Sequence, residues 1–211
     1  MLENLKIKVV KMAKDAERYN LCKGNIGSFS IRDESSGYVV ITPSKIAVEN
    51  LNVEHVCIVD LKGNRINVVD GIEPTSDILM HLEVYRARKD IKTIMHIHSV
   101  HVSTFAVINK VIPPIAYDSA NYGGYIYVAN GGNAESSETA KDLIEKLNMS
   151  DACLLESNGA IVVSGNIENI VFKARTVERV AEIYYKALVL NKSNEPKRFS
   201  REELALYSGN R

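Results

Sequence analysis

Apolar residues recur at helical spacing from Leu2 to about Tyr19, where Leu5, Val9, Met12, Ala13 and Ala16 form one stripe and predict an amphipathic helix. Gly24-Asn25-Ile26-Gly27-Ser28 breaks that period and leads into the extended run Phe29-Ser30-Ile31. The polar cluster Asp33–Gly37 reads as a hairpin turn before the strand Tyr38–Thr42. Val56–Val59 is a short buried strand, and a turn at Lys62-Gly63-Asn64 predicts its hairpin partner near Ile66–Val69. Hydroxyls then open a helix from Thr75 to Arg88 with Ile78, Leu82 and Tyr85 on one stripe. An apolar strand from about Ile91 follows and ends in Met95-His96-Ile97-His98-Ser99.

Beyond it, the pattern predicts a short helix His101–Ile108, extended segments at Ile112–Ile115 and Tyr125–Ala129, and a helix from Ser136 to Leu147. Strands Ala152–Leu155 and Ile161–Val163 flank Asn158-Gly159, and a long helix runs from Ile167 to Leu190. A polar tail with one short helical stretch occupies 191–211. No linker or repeat interrupts the series, so residues 1–211 are expected to form one α/β domain, a mixed sheet covered by helices.

Composition narrows the function classes. The chain has 211 residues, 45% apolar and 25% charged, which suffices for a full core. Its 26 basic and 26 acidic residues cancel, so no nucleic-acid or membrane-surface partner is expected. No apolar run approaches the roughly 20 residues that span a bilayer, and the start lacks the layout of a secretory signal. Cys22, Cys57 and Cys153 are scattered without metal-ligand spacing, which points to reduced thiols and a cytoplasmic location.

The candidate chemistry begins with His96 and His98. Side chains at i and i+2 of a strand share a face, so two imidazoles can converge on one divalent ion while Ile97 enters the opposite layer. Asp77, at the start of the preceding helix, adds a carboxylate. A buried histidine is more often a hydrogen-bonded core residue, and His81 and His101 are read as supports for the site, His55 as solvated. Anion candidates are the loop ending in Gly27 and Ser28, the strand end with Ser44 and Lys45, and the helix start with Thr75 and Ser76. Taken singly they are a turn, a strand end and an N-cap; together with a metal site they suggest a phosphorylated substrate. Tyr117 stands at a strand end, where a phenol can donate a proton or simply pack.

Over about residues 5–190 the chain resembles the class II aldolases, the family of fuculose-phosphate aldolase and ribulose-phosphate 4-epimerase. The resemblance rests on Gly24–Ser28, Ile41-Thr42-Pro43-Ser44, Pro74-Thr75-Ser76-Asp77, His96-Ile97-His98-Ser99 and Asn158-Gly159, in that order and spacing. It implies a three-layer α/β/α sandwich around a mixed, mostly antiparallel sheet. It also implies C4 homotetramers with sites between subunits, and a divalent metal, zinc before manganese or cobalt, bound by three histidines. By position, His96 and His98 match two of the ligands and Asn158 stands at the third. Asp77 matches the family's acid, Ser44, Thr75 and Ser76 its phosphate site, and Tyr117 a proton donor of the aldolases.

Three departures stand out. Asn158 replaces the third histidine, and a neutral amide oxygen is a weaker zinc ligand than imidazole. Ser28 replaces an asparagine and Lys45 a glycine in the anion site, while the tail offers Tyr207 as a poor match for an aromatic that relatives lend to a neighbour. The leading expectation is retroaldol cleavage of a ketose 1-phosphate, a small phosphorylated sugar, into dihydroxyacetone phosphate and an aldehyde. Two alternatives stay open. One is a sugar-phosphate 4-epimerase, favoured by Asp77 but opposed by Asn121 where a catalytic aspartate is expected. The other is a non-catalytic binding protein with a degraded metal site.

Overall fold

A computed structural model gives the architecture and describes residues 2–67, 69–130 and 137–208. Seven strands form one sheet: β1 (Ser28–Arg32), β2 (Val39–Ile41), β3 (Cys57–Val59), β4 (Thr93–Ile97), β5 (Tyr127–Ala129), β6 (Ala152–Leu155) and β7 (Ala160–Ser164). Their order is β3-β2-β1-β4-β7-β6-β5. Every neighbouring pair is antiparallel except β5 with β6. The helices are α1 (Leu2–Arg18), α2 (Ile78–Ala87), α3 (Val100–Val107), α4 (Ser137–Leu147), α5 (Ile170–Leu190) and α6 (Arg201–Ser208).

Strand alternation explains the three layers. Phe29, Ile31, Met95, Ile97, Leu154 and Val162 enter one apolar cluster, with the buried faces of α1, α3 and α5. Their neighbours Ile94, Cys153, Leu155, Ile161 and Val163 enter the other, with residues of α2 and α4. Both faces of the sheet are thus covered, and β1, β4, β6 and β7 are buried at every position. The expected sandwich on a mostly antiparallel sheet is what the chain forms. The three cysteines are buried and free. No described helix is long and apolar enough to cross a membrane.

Several expected elements differ. Ile66–Val69 is not a strand among the described residues: β3 has a single bridge there, Val59 with Arg65, and Val68 lies outside the described residues. The Asn67 side chain takes the place of a strand backbone, accepting from the Ile58 N–H and donating to the Val56 carbonyl at 3.1 Å. Residues 75–77 are a turn leading into α2 rather than its first residues, closed by the Ile78 N–H on the Thr75 carbonyl at 3.1 Å, while the Thr75 N–H is tied to the Thr42 carbonyl, 3.1 Å away. Ile112–Ile115 is extended but carries only the bridge Ile112 to Ile126, and Ile167–Asn169 is a 3-10 turn ahead of α5. Ser136, the expected start of the fourth helix, lies outside the described residues.

Candidate active site

The register of β1 against β4 pairs Ser28 with His96 and Ser30 with Ile94. Ser28, Ser30 and His96 therefore share the sheet face that α2 covers. Two residues of strand advance about 6.7 Å and four residues of helix about 6 Å, so i, i+2 positions on β1 keep step with i, i+4 positions leading into α2. Asp77, His81 and Tyr85 are spaced in that way and stand over Ser28, Ser30 and Arg32.

Each rung is hydrogen-bonded. The Ser28 hydroxyl donates to Asp77 Oδ2 at 2.7 Å and lies 2.9 Å from His81 Nε2. Ser30 Oγ is 2.7 Å from His81 Nδ1 and 2.8 Å from the Tyr85 hydroxyl. Arg32 donates to the Tyr85 carbonyl at 2.9 Å, with its guanidinium 5.3 Å from the centre of the Tyr85 ring. His96 Nδ1 donates to the same Asp77 Oδ2, at 2.9 Å, and His96 Nε2 lies 2.8 Å from the Asn158 carbonyl oxygen. His98, just past β4, places its ring centre 4.4 Å from that of His96, and its own N–H is tied to the Leu21 carbonyl at 2.8 Å.

Electrostatics follow from burial and these bonds. Burial pulls the Asp77 carboxyl upward, but the His96 hydrogen bond and charge, with the Ser28 hydroxyl, outweigh it and hold the group well below the usual carboxylate range. Asp77 is thus ionised. Burial pushes His81 down to about 4, against the attraction of Asp77. His98 is likewise pushed down to about 4, by burial and then by His96. Both rings are neutral at pH 7, and a neutral imidazole has a lone pair to offer a cation.

A pH prediction follows for His81, whose surroundings are Ser28, Ser30, Asp77 and, through charge, His96. Its native-state value of about 4 lies below the free imidazole value near 6.5, so the unfolded chain takes up the proton first. The stability that comes from keeping it neutral is complete above pH 6.5 and drains as pH falls towards 4, by up to roughly 3 kcal/mol. The urea midpoint of wild type should therefore exceed that of His81→Gln most at pH 7, and the gap should narrow at pH 4.5. A constant gap would contradict it.

The turn between β6 and β7 aims Asn158 at His96. Ser157 and Gly159 are left-handed at φ 56° and 70°. A Cβ on Gly159 would sit 2.2 Å from the Ile97 carbonyl oxygen. What reaches His96 is the main-chain oxygen of Asn158, not its amide side chain. A cation at His96 Nε2 needs that carbonyl to give way. Among the described residues, no group of three His, Cys, Asp or Glu stands as a ready ion cage.

The anion candidates gather at the same end of the sheet. Pro43 bridges Pro74, the Ser44 N–H donates to the Glu73 carbonyl at 2.7 Å, and Thr75 Oγ1 accepts from the Asp77 N–H at 3.3 Å. Ser76 and Lys45 are exposed, Lys45 with a left-handed φ of 62°. Gly27, at φ 98°, lets the loop pass against β4, where a Cβ would meet the His96 carbonyl oxygen at 2.9 Å. Ser28 differs from the expectation: it is 0% exposed and its hydroxyl serves Asp77.

Tyr117 is not brought to the histidines within one chain. It opens the 3-10 helix Tyr117–Tyr122, is 51% exposed, and packs at a tilt against Phe199 (ring centres 4.6 Å apart) and Tyr207 (4.0 Å) of the tail. Asn121, in the same turn, donates to the Asp118 carbonyl at 2.9 Å. His101 is taken by Glu178, which accepts from its ring at 2.8 Å and from the His101 and Val102 N–H groups at 3.0 and 3.1 Å. An acid of α5 thereby caps α3. Reading the sequence missed Ser30 and Tyr85; the matched spacing of polar positions on β1 and α2 was the signal for them.

Comparisons with known proteins give the family and the fold. The chain is 30% identical over 165 residues to an L-fuculose phosphate aldolase of Methanococcus maripaludis, covering 77% of this chain and 86% of that one. It is 29% identical to a 5-deoxy-D-ribulose 1-phosphate aldolase of Bacillus thuringiensis, over 97% and 93% of the two chains. The fold superposes on a solved L-fuculose 1-phosphate aldolase with a TM-score of 0.89 at 27% identity, covering 97% of this chain and 94% of that one. Residues 7–185 match the family described as class II aldolase and adducin N-terminal domain, and the chain belongs to that family.

Proposed function

We propose that this chain is a metal-dependent aldolase that cleaves a ketose 1-phosphate into dihydroxyacetone phosphate and an aldehyde. The observation that carries the reading is the ionised Asp77, clamped by Ser28 and His96 beside the neutral ring of His98. The donor chemistry fits a divalent cation, zinc first and manganese or cobalt next. His96 donates Nδ1–H to a carboxylate, the arrangement that orients ligating imidazoles, and among the described residues the His98 ring has no hydrogen-bonded side-chain partner. His96 and His98 would hold the ion once the Asn158 carbonyl moves off His96 Nε2, with Asn158 standing where a third imidazole is expected. When bound, the metal supplies charge withdrawal from the substrate's carbonyl and the neighbouring hydroxyl.

The chain's own groups do the rest. In the bond-forming direction, Asp77 accepts the proton from the carbon beside the carbonyl; in cleavage it returns that proton. Tyr117 donates to the aldehyde oxygen as the bond forms. With its ring half-exposed, Tyr117 would reach a neighbour's site in a C4 homotetramer. Gly27, Ser44, Lys45, Thr75 and Ser76 carry the phosphate end, whereas Ser28, buried with its hydroxyl on Asp77, serves that carboxylate instead. Residues 1–211 would act as one unit, in the cytoplasm, on a small phosphorylated sugar, with no nucleic-acid or membrane partner. The bond from His96 Nε2 to the Asn158 carbonyl favours a second reading, a binding protein that has lost its metal.

One experiment separates the two. The protein, purified with and without added zinc, is offered L-fuculose 1-phosphate and 5-deoxy-D-ribulose 1-phosphate, and dihydroxyacetone phosphate is followed by coupled reduction. Zinc-stimulated release from at least one ketose, abolished by EDTA, is expected. Wild type should retain less than one zinc per subunit, and Asn158→His should raise that occupancy and the turnover. No release from either sugar by the zinc-loaded Asn158→His protein would rule for the binding reading.

A further inference from the structure

We propose that Tyr85, Ser30 and His81 form a one-way hydrogen-bond relay that holds the Ser28 hydroxyl hydrogen on Asp77, which makes His81 a positioning residue for that carboxylate. The relay is defined by its bonds and stands on the aldolase reading only for the use made of the carboxylate.

The sense of the chain follows from what each atom can do. Asp77 Oδ2 only accepts, so the single Ser28 hydrogen goes to it at 2.7 Å. Ser28 Oγ then has only lone pairs for His81 Nε2, 2.9 Å away, and that nitrogen must carry the hydrogen. His81 is 0% exposed and uncharged at neutral pH, as its downward shift to about 4 implies. Its Nδ1 therefore has a lone pair and accepts from Ser30 Oγ at 2.7 Å. With its hydrogen committed, Ser30 accepts from the Tyr85 hydroxyl at 2.8 Å.

Ser30, His81 and Ser28 each accept once and donate once, Tyr85 starts the chain as a donor, and all the hydrogens point towards Asp77. Ser28, Ser30, His81 and Tyr85 are each 0% exposed, so water does not compete for these bonds. A buried polar chain of this kind is retained only at a cost unless fully satisfied, and this one is. Its effect is to fix the histidine tautomer, and the tautomer in turn denies Ser28 any other orientation. Without the Nε2–H, the Ser28 hydroxyl would turn to donate to His81 and Asp77 would lose one of its two donors. Arg32 secures the far end, donating to the Tyr85 and Ile91 carbonyls at 2.9 and 2.7 Å.

Neutron diffraction from deuterated crystals of the wild-type protein reads the relay directly. A deuteron on His81 Nε2 with none on Nδ1, and the Ser30 deuteron facing Nδ1, is the expected result. A deuteron on Nδ1, or on both nitrogens, would overturn it. The kinetic arm compares His81→Leu with His81→Gln, whose amide N–H reaches about where Nε2–H stands. His81→Leu should lower kcat by about 10- to 100-fold with KM within about twofold, and His81→Gln should recover most of the loss. A folded His81→Leu protein with kcat within twofold of wild type would refute the positioning role. Should His81→Leu fail to fold, Ser30→Ala, which strips Nδ1 of its donor, is held to the same kcat criterion. If wild type cleaves no ketose phosphate, the aldolase reading falls while the deuteron positions still decide the relay.

Discussion

Gly159→Ala is expected to leave almost no native protein. Gly159 sits at φ +70°, where an alanine pays about 1–2 kcal/mol for the left-handed backbone alone. Its new Cβ would also lie 2.2 Å from the Ile97 carbonyl oxygen and 3.2 Å from His98 ring atoms. The first of these is backbone within the central strand β4, paired on both sides, and it has no room to retreat. Relieving that clash means opening the β4–β7 ladder, at a total cost of about 4 kcal/mol or more, a large fraction of the 5–15 kcal/mol by which domains are stable. Gly37→Ala is the control: φ is +74°, yet nothing lies within 4 Å of the added carbon, so it should lose only the backbone term. Urea midpoints and soluble yield compare the two. Equal midpoints would mean that the turn is not held against β4, and with it the placement of the Asn158 carbonyl on His96.

The parts of this site that were legible in the sequence are those governed by a short period. His96 and His98 share a face because a strand repeats every two residues, and Asp77 joins them because it opens the helix that covers that face. Ser30, His81 and Tyr85 needed two periods to be read together, one on β1 and one on α2. The strand spacing and the helical turn nearly coincide in length, so the polar rungs meet. The Asn158 carbonyl was not legible at all: a side-chain letter says nothing of where the main-chain oxygen points, and a left-handed Ser157 and Gly159 decide that. Tyr117 was assigned a chemistry from its position, but its companions Phe199 and Tyr207 lie some 80 to 90 residues on, in a tail without a periodic pattern. In the fold, the false hairpin partner at Ile66–Val69 has a similar origin. The apolar run after a turn reads as a strand, and backbone pairing does begin there with the Ile66 N–H on the Ile58 carbonyl at 2.8 Å, but from Asn67 on a side-chain amide takes over the bonds to β3.

Asp77→Asn should lower kcat about a thousandfold while the protein stays folded, the loss expected when a group that moves a proton in the rate-limiting step is replaced by one that cannot. The amide is isosteric, and its oxygen can still accept from Ser28 and His96, so the rungs of α2 on β1 persist. What disappears is charge, and with it the strength of two charge-assisted bonds to one oxygen, about 1–2 kcal/mol of stability in all. The pH profile distinguishes loss of a base from damage to packing. Because Asp77 is held well below the ordinary carboxylate range, it is ionised throughout pH 5–8 and contributes no inflection there. The variant's profile over that range should therefore run parallel to that of wild type, displaced downward by the same factor at every pH. A turnover within twofold of wild type would remove Asp77 from the chemistry. A deficit that vanishes at one end of the range would assign the proton to another group, and the clamp formed by Ser28 and His96 would then serve only to seat the helix on the sheet.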